Sequence, residues 1–196
     1  QKISIFVGDA HRKKEGTPTM GGLIFIIPTI AATIYLLLTE SIAYTSNLGI
    51  VLLVFLGYAC IGFLDDFLSF RKGNNEGLTT YQKLFMQVLI AIGFFYIYMR
   101  SGGQTAWVVG TLNIDIELGW LYGLLILFVL VGASNAVNLT DGLDGLAGGL
   151  SFIATLVLGV ISWTTTWLAG YEDIAIFCFI LAGCLLGFLV YNFNIT

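Results

Sequence analysis

Residues 120–149 read WLYGLLILFVLVGASNAVNLTDGLDGLAGG. The first part, Trp120–Val137, is an apolar run close to the roughly 20 residues a helix needs to cross a hydrocarbon core. Asn135, Asn138, Thr140, Asp141 and Asp144 then crowd into ten residues, with glycines at 142 and 145. A second apolar run, Leu146–Trp163, follows at once. The stretch predicts two membrane-crossing helices joined by a polar turn. Backbone groups in lipid must be bonded within their own segment, so the apolar runs are helices, and no barrel-like alternation runs through them.

The rest of the chain repeats this pattern. It is 58% hydrophobic and 10% charged, with mean hydropathy +0.93, where a soluble domain carries about 25% charged residues. A water-soluble core is excluded. Four more spans are expected at Met20–Leu38, Leu48–Leu64, Leu84–Met99 and Ile174–Val190. The fold class is therefore an all-α polytopic membrane protein with six spans in a single membrane domain over 1–196. Leu112–Leu118 alternates apolar and polar residues, the period of a strand. With Ala106–Val109 before it, a small surface hairpin is expected there. Cys60, Cys178 and Cys184 lie inside apolar runs without metal-ligand spacing and read as small buried residues. Gly145 and Gly149, four apart, read as a close helix contact.

Orientation follows from the basic residues. With six spans the connecting segments alternate sides. Lys2, Arg12, Lys13, Lys14, Arg71, Lys72 and Lys83 fall on one side, leaving only Arg100 of the eight on the other. The first side is the expected cytoplasmic face. The chain opens on Gln1 and stops soon after an apolar run, which reads as part of a longer protein.

The polar residues gather on that same side. Asp65-Asp66 closes a span, and ionisable residues beside a span are functional hypotheses by default. Two carboxylates there suit a hydrated Mg²⁺ or proton transfer; a solvated helix end is the plain alternative. Asn138, Asp141 and Asp144 are spaced i, i+3, i+6 and on a continuous helix would share one face. Such a face can take up hydroxyls, an imide edge or a hydrated cation. An EF-hand is excluded by the spacing and the missing glutamate, and a capping turn explains one of the three residues only. Arg12, Lys13 and Lys14 precede GTPTMGG (16–22), a basic and glycine-rich helix start that suits an anion. Lys83 stands where a span re-enters the membrane and either snorkels or binds phosphate. His11, the one histidine, reads as an ordinary loop residue. Together these residues describe a site at membrane level for transfer of a phosphorylated group onto a lipid phosphate, a reaction in which positioning and charge neutralisation dominate.

The segments HRKKEGTPTMGG (11–22), DD (65–66), GLTTYQK (77–83) and NAVNLTDGLDGLAGG (135–149) occur in the order found in the polyprenyl-phosphate N-acetylhexosamine-1-phosphate transferases, which this chain resembles over nearly its whole length. The resemblance implies the middle part of a ten-helix fold. It implies a donor, UDP-N-acetylmuramoyl-pentapeptide, and an acceptor, undecaprenyl phosphate. The products would be lipid I and UMP in peptidoglycan synthesis, with Mg²⁺ as cofactor, in the bacterial inner membrane. Residue by residue, Asp65 would be the base acting on the lipid phosphate, with Asp66 beside it and Lys83 holding phosphate. Asn138, Asp141 and Asp144 would line the nucleotide pocket. Lys14 and Thr19 would contribute from the first segment, and Asn192 would match the asparagine of the family's Phe-Asn-x-x-Pro-Ala segment, with Tyr191 in the aromatic place. The resemblance leaves the metal ligands open: the family's main metal-binding aspartate falls in a later Met-Gly-Asp segment beyond this sequence, and Asp65 and Asp66 are candidates. A homodimer in the membrane is a further family expectation. An N-acetylglucosamine-phosphate transferase is the alternative within the family, although those relatives carry a Pro-Arg-type segment in place of Pro-Thr-Met. A transporter is the alternative outside it, and would place charges near mid-membrane in both halves of a repeat.

Overall fold

The computed structural model describes residues 20–72, 77–109, 114–142, 145–164 and 171–193. Six helices appear in chain order: α1 Leu23–Leu38, α2 Ser46–Lys72, α3 Thr80–Arg100, α4 Leu121–Thr140, α5 Leu146–Trp163 and α6 Glu172–Phe193. Five of them, α2 to α6, are long and apolar enough to cross a membrane, whereas α1 has 16 residues. Five of the six expected spans thus coincide with helices of membrane-crossing length, while the expected span Met20–Leu38 corresponds to the shorter apolar α1. The multi-pass membrane architecture follows from their length and composition.

The helix boundaries differ most for α2. The expected span stopped at Leu64, but the helix continues to Lys72 and has 27 residues. At 1.5 Å per residue it is about 40 Å long, against a hydrocarbon core of about 30 Å. Asp65 and Asp66 therefore sit inside a continuous helix near the membrane boundary, not at a helix end. Hydropathy marks where the apolar residues stop and says nothing about where the helix stops.

Between α3 and α4 the expected hairpin is present. β1, Ala106–Val109, pairs antiparallel with β2, Ile114–Glu117, with Ala106 opposite Glu117 and Trp107 opposite Ile116. It lies at the opposite end of the bundle from Asp65. At that end a small core forms from Ile42, Leu48 and Phe177, with Phe55 edge-on to Phe177 at 5.4 Å. Asp173 is buried in the first turn of α6 and accepts a hydrogen bond from Thr45, whose Oγ1 in turn accepts the Leu48 N–H at 3.1 Å.

α5 packs along α6, but Gly149 takes no part in the contact. A Cβ on Gly149 would meet open space, and Gly145 is the N-cap of α5 with φ 77°. The close approach is made by Gly148 and Gly159. A Cβ on Gly148 would lie 3.0 Å from Leu189, and one on Gly159 would lie 2.9 Å from the Phe179 ring. These two are eleven residues apart, three turns, so they share the face turned to α6.

Candidate functional site

The link between α2 and α3 is built around Asp65. Thr79 caps α3: its side chain accepts the Gln82 N–H, and the Gln82 side chain accepts the Thr79 N–H at 2.9 Å. This reciprocal Thr-x-x-Gln cap fixes where the helix starts, and so puts Lys83 in its first turn. From there the Lys83 ammonium reaches back to Asp65 Oδ2 at 2.7 Å, and Asp65 Oδ1 accepts the Leu78 N–H at 2.7 Å. A carboxylate at a helix N-terminus is favoured by the helix dipole as well. Gly77 makes the approach possible, because a Cβ there would collide with Asp65 Oδ1. The Lys72 ammonium holds the Gly77 carbonyl at 3.5 Å.

Asp65 thus uses both oxygens on protein partners, yet the pair is open to approach: the side chains of Lys83 and Asp65 are 30% and 26% exposed. An ammonium carries three N–H donors. Lys83 can therefore hold Asp65 and still offer hydrogen bonds to an incoming phosphate.

Asp66 faces the start of α1, where the Met20 backbone is hydrogen-bonded to its carboxylate. Met20 has φ 70°, a left-handed conformation that costs energy for a residue with a side chain and needs support from its surroundings. The Met20 carbonyl accepts the Leu23 N–H at 3.1 Å, so the same residue starts α1 and contacts Asp66.

Beneath the acids lies a cavity of about 420 Å³ between α1 and α2. Its walls are mostly apolar, including Phe25, Ile26, Phe55 and Phe63, while Asp65, Asp66 and Asn138 line it with polar groups. Tyr58 also lines it, and its hydroxyl is buried without a hydrogen-bond partner among the described residues. An unpartnered buried hydroxyl costs free energy of about 1–3 kcal/mol.

The structure thus brings Asp65, Asp66, Lys83 and Asn138 to one end of the bundle, with Asn138 contributed by α4. Asp141 is exposed at the C-cap of α4, its N–H bonded to the Val137 carbonyl at 3.1 Å. This corrects the single-face reading: the helix carrying Asn138 ends at Thr140, and α5 restarts only after Gly145. The capping alternative holds for one residue, since Asp141 is the C-cap of α4, while the N-cap of α5 is Gly145. Asn192 is half-buried in the last turn of α6, four residues beyond Phe188, whose ring packs on Phe25 at 5.7 Å. It shares the end of the bundle with the acids but does not line the cavity. Lys14, Thr19 and Asp144 lie outside the described residues.

Among the described residues no three His, Cys, Asp or Glu side chains gather into a metal cluster. The two adjacent carboxylates are nonetheless hard oxygen donors of the kind that Mg²⁺ takes one or two of, completing its shell with waters and phosphates. The donor set fits that ion in kind.

The sequence reading missed the backbone partners Met20, Gly77 and Leu78, and also Tyr58. The Thr79/Gln82 capping pair was visible as a spacing in GLTTYQK, and would have placed Lys83 in a first helical turn.

Comparison with known proteins bears on the same residues. The glycosyl transferase family 4 model matches residues 48–195, three quarters of the chain. The phospho-N-acetylmuramoyl-pentapeptide-transferase signature 1 matches residues 14–26. Proteins named phospho-N-acetylmuramoyl-pentapeptide-transferase are similar over most of the chain. The one from Geobacillus thermodenitrificans is 44% identical over 183 residues, covering 93% of this chain and 55% of that protein. The one from Geobacillus sp. strain WCH70 is 47% identical over 184 residues, with the same coverage. The one from Bacillus subtilis is 42% identical over 184 residues, again covering 93% and 55%. The chain spans about half the length of these relatives. Acids on α2, a lysine on α3 and an amide on α4 all fall within the matched range, and the chain belongs to glycosyl transferase family 4.

Proposed function

We propose that the protein carrying this chain transfers phospho-N-acetylmuramoyl-pentapeptide from its UDP conjugate to undecaprenyl phosphate, releasing UMP and forming lipid I on the cytoplasmic face of the bacterial inner membrane. The observation that carries the reading is the Lys83–Asp65 pair, 2.7 Å apart and partly open, directly above an apolar cavity. Phosphate chemistry and a hydrocarbon chain meet at one place. The names of the relatives supply the donor class.

In this mechanism the cavity receives the first isoprenoid units of the acceptor, and the lipid phosphate meets Lys83. As the ammonium turns to the phosphate, Asp65 is released to accept the acceptor's proton. The Leu78 N–H keeps the Asp65 carboxylate oriented during this exchange. Asn138 and Asp141 bind the polar part of the donor, and Asp144, Lys14, Thr19 and Asn192 are assigned to the same donor site by resemblance. Asp66, with Asp65 beside it, would hold Mg²⁺, which when bound neutralises negative charge on the donor pyrophosphate.

The test is UMP release by the full-length protein in undecaprenyl phosphate-containing membranes. Release is expected with UDP-N-acetylmuramoyl-pentapeptide. Release with UDP-N-acetylglucosamine alone would overturn the donor assignment in favour of the other branch.

A further inference from the structure

A second polar group joins α3 to α4, one turn deeper than the reactive pair. Gln87 is only 4% exposed although it stands in the apolar part of α3. Its Nε2 donates to Ser134 Oγ at 3.2 Å, and its Oε1 accepts from Asn135 Nδ2 at 3.1 Å. Asn135 Nδ2 also donates to the Val131 carbonyl at 2.8 Å, which anchors that amide to its own helix. One buried glutamine amide thus grips two successive residues of α4.

The placement of this grip gives it a consequence for the site. Gln87 follows Lys83 by four residues, so the two lie on one face of α3. Ser134 and Asn135 precede Asn138 by four and three residues, so they lie on the face of α4 that carries Asn138. Successive helical residues diverge by about 100°, so holding both fixes the rotation of α4. Sliding α4 by one turn, about 5.4 Å, would break both bonds, so the grip also fixes its height. Polar side chains between membrane helices find few other partners, which favours this one arrangement.

We infer that Gln87 is a positioning residue: it sets the distance and rotation between Lys83 on α3 and Asn138 on α4, and thereby how the UDP-linked donor held at Asn138 meets the acceptor phosphate at Lys83. This rests on the transferase reading above, in which Lys83 meets the acceptor phosphate and Asn138 the donor. Gln87 touches no reacting atom in this account. It acts through the two helices.

The test is steady-state kinetics on the full-length protein in membranes, normalised to folded protein, with donor and acceptor varied separately. For Gln87→Leu the donor kcat/KM falls about tenfold or more, since sub-ångström to ångström misplacements carry costs of that order. The acceptor KM stays within about twofold of wild type, because the cavity is walled chiefly by α1 and α2. Gln87→Glu keeps two acceptor oxygens for the Ser134 hydroxyl and the Asn135 amide, and recovers donor kcat/KM to within about threefold of wild type. Should Gln87→Leu not fold, Ser134→Ala removes one half of the grip and lowers donor kcat/KM about threefold. A folded Gln87→Leu protein with unchanged donor kinetics overturns the inference. So does a parallel rise of both KM values, which marks general loosening. Absence of UMP release from the wild-type protein overturns the transferase reading instead, so the two failures are distinct.

Discussion

The two ends of the bundle each hold an acid on a helix near a chain connection, and they treat it differently. Asp173 is 8% exposed, receives a hydrogen bond from Thr45, and stands next to the apolar Ile42, Leu48 and Phe177 core. Asp65 is about a quarter exposed, paired with Lys83 and a backbone N–H, and borders an open cavity. The first acid is closed off by a neutral partner and ties α6 to the start of α2. The second is held by a cation that has hydrogen-bond capacity to spare. Partner and exposure, more than the presence of a carboxylate, separate an acid that fastens a fold from one that can take part in a reaction.

Mutation can break this contrast. Asp65→Asn should have the largest effect, a loss of about 10²–10⁴-fold in kcat, the range spanned by general acid–base groups. The helical circular dichroism and thermal midpoint should stay near wild type, because a partly exposed ion pair contributes only about 0–1 kcal/mol. If activity survived, Asp65 would be a fastening residue like Asp173.

Gly77→Ala should come next, with kcat lowered about tenfold. The added methyl would collide with the Asp65 carboxylate and displace it from Lys83. Full activity would mean that the link tolerates a different Asp65 geometry. Asp173→Leu should have the smallest effect on turnover. It leaves the Thr45 hydroxyl without its acceptor, costing about 1–3 kcal/mol of stability, while kcat per folded molecule is unchanged. A large kcat change with stability intact would erase the distinction between the two ends.

Much of the architecture could be read directly. Spans of this hydropathy leave no other membrane structure, and the strict alternation in Ile114–Glu117 marked the hairpin strand. The acids and Lys83 stood out because charge at a membrane boundary is costly. The run of α2 past Leu64 was hidden because polar residues extend a helix without any apolar signal. Gly77, Leu78 and Met20 were hidden for another reason: they act through backbone groups or through the absence of a side chain. The packing role of Gly148 over Gly149 depends on which side of α5 meets α6, which spacing alone does not reveal. Gln87 was visible as a lone amide in an apolar helix, and the signal passed over was that such a side chain must find a partner.

The most direct test of the central claim is a double-mutant cycle on Asp65 and Lys83, reading kcat for UMP release with Asp65→Asn, Lys83→Met and both. Groups that act as one unit are strongly non-additive. The double variant is expected to lose little more than the worse single variant. Losses that multiply would contradict it, because the two residues would then act independently and the 2.7 Å pair would have no part in the reaction.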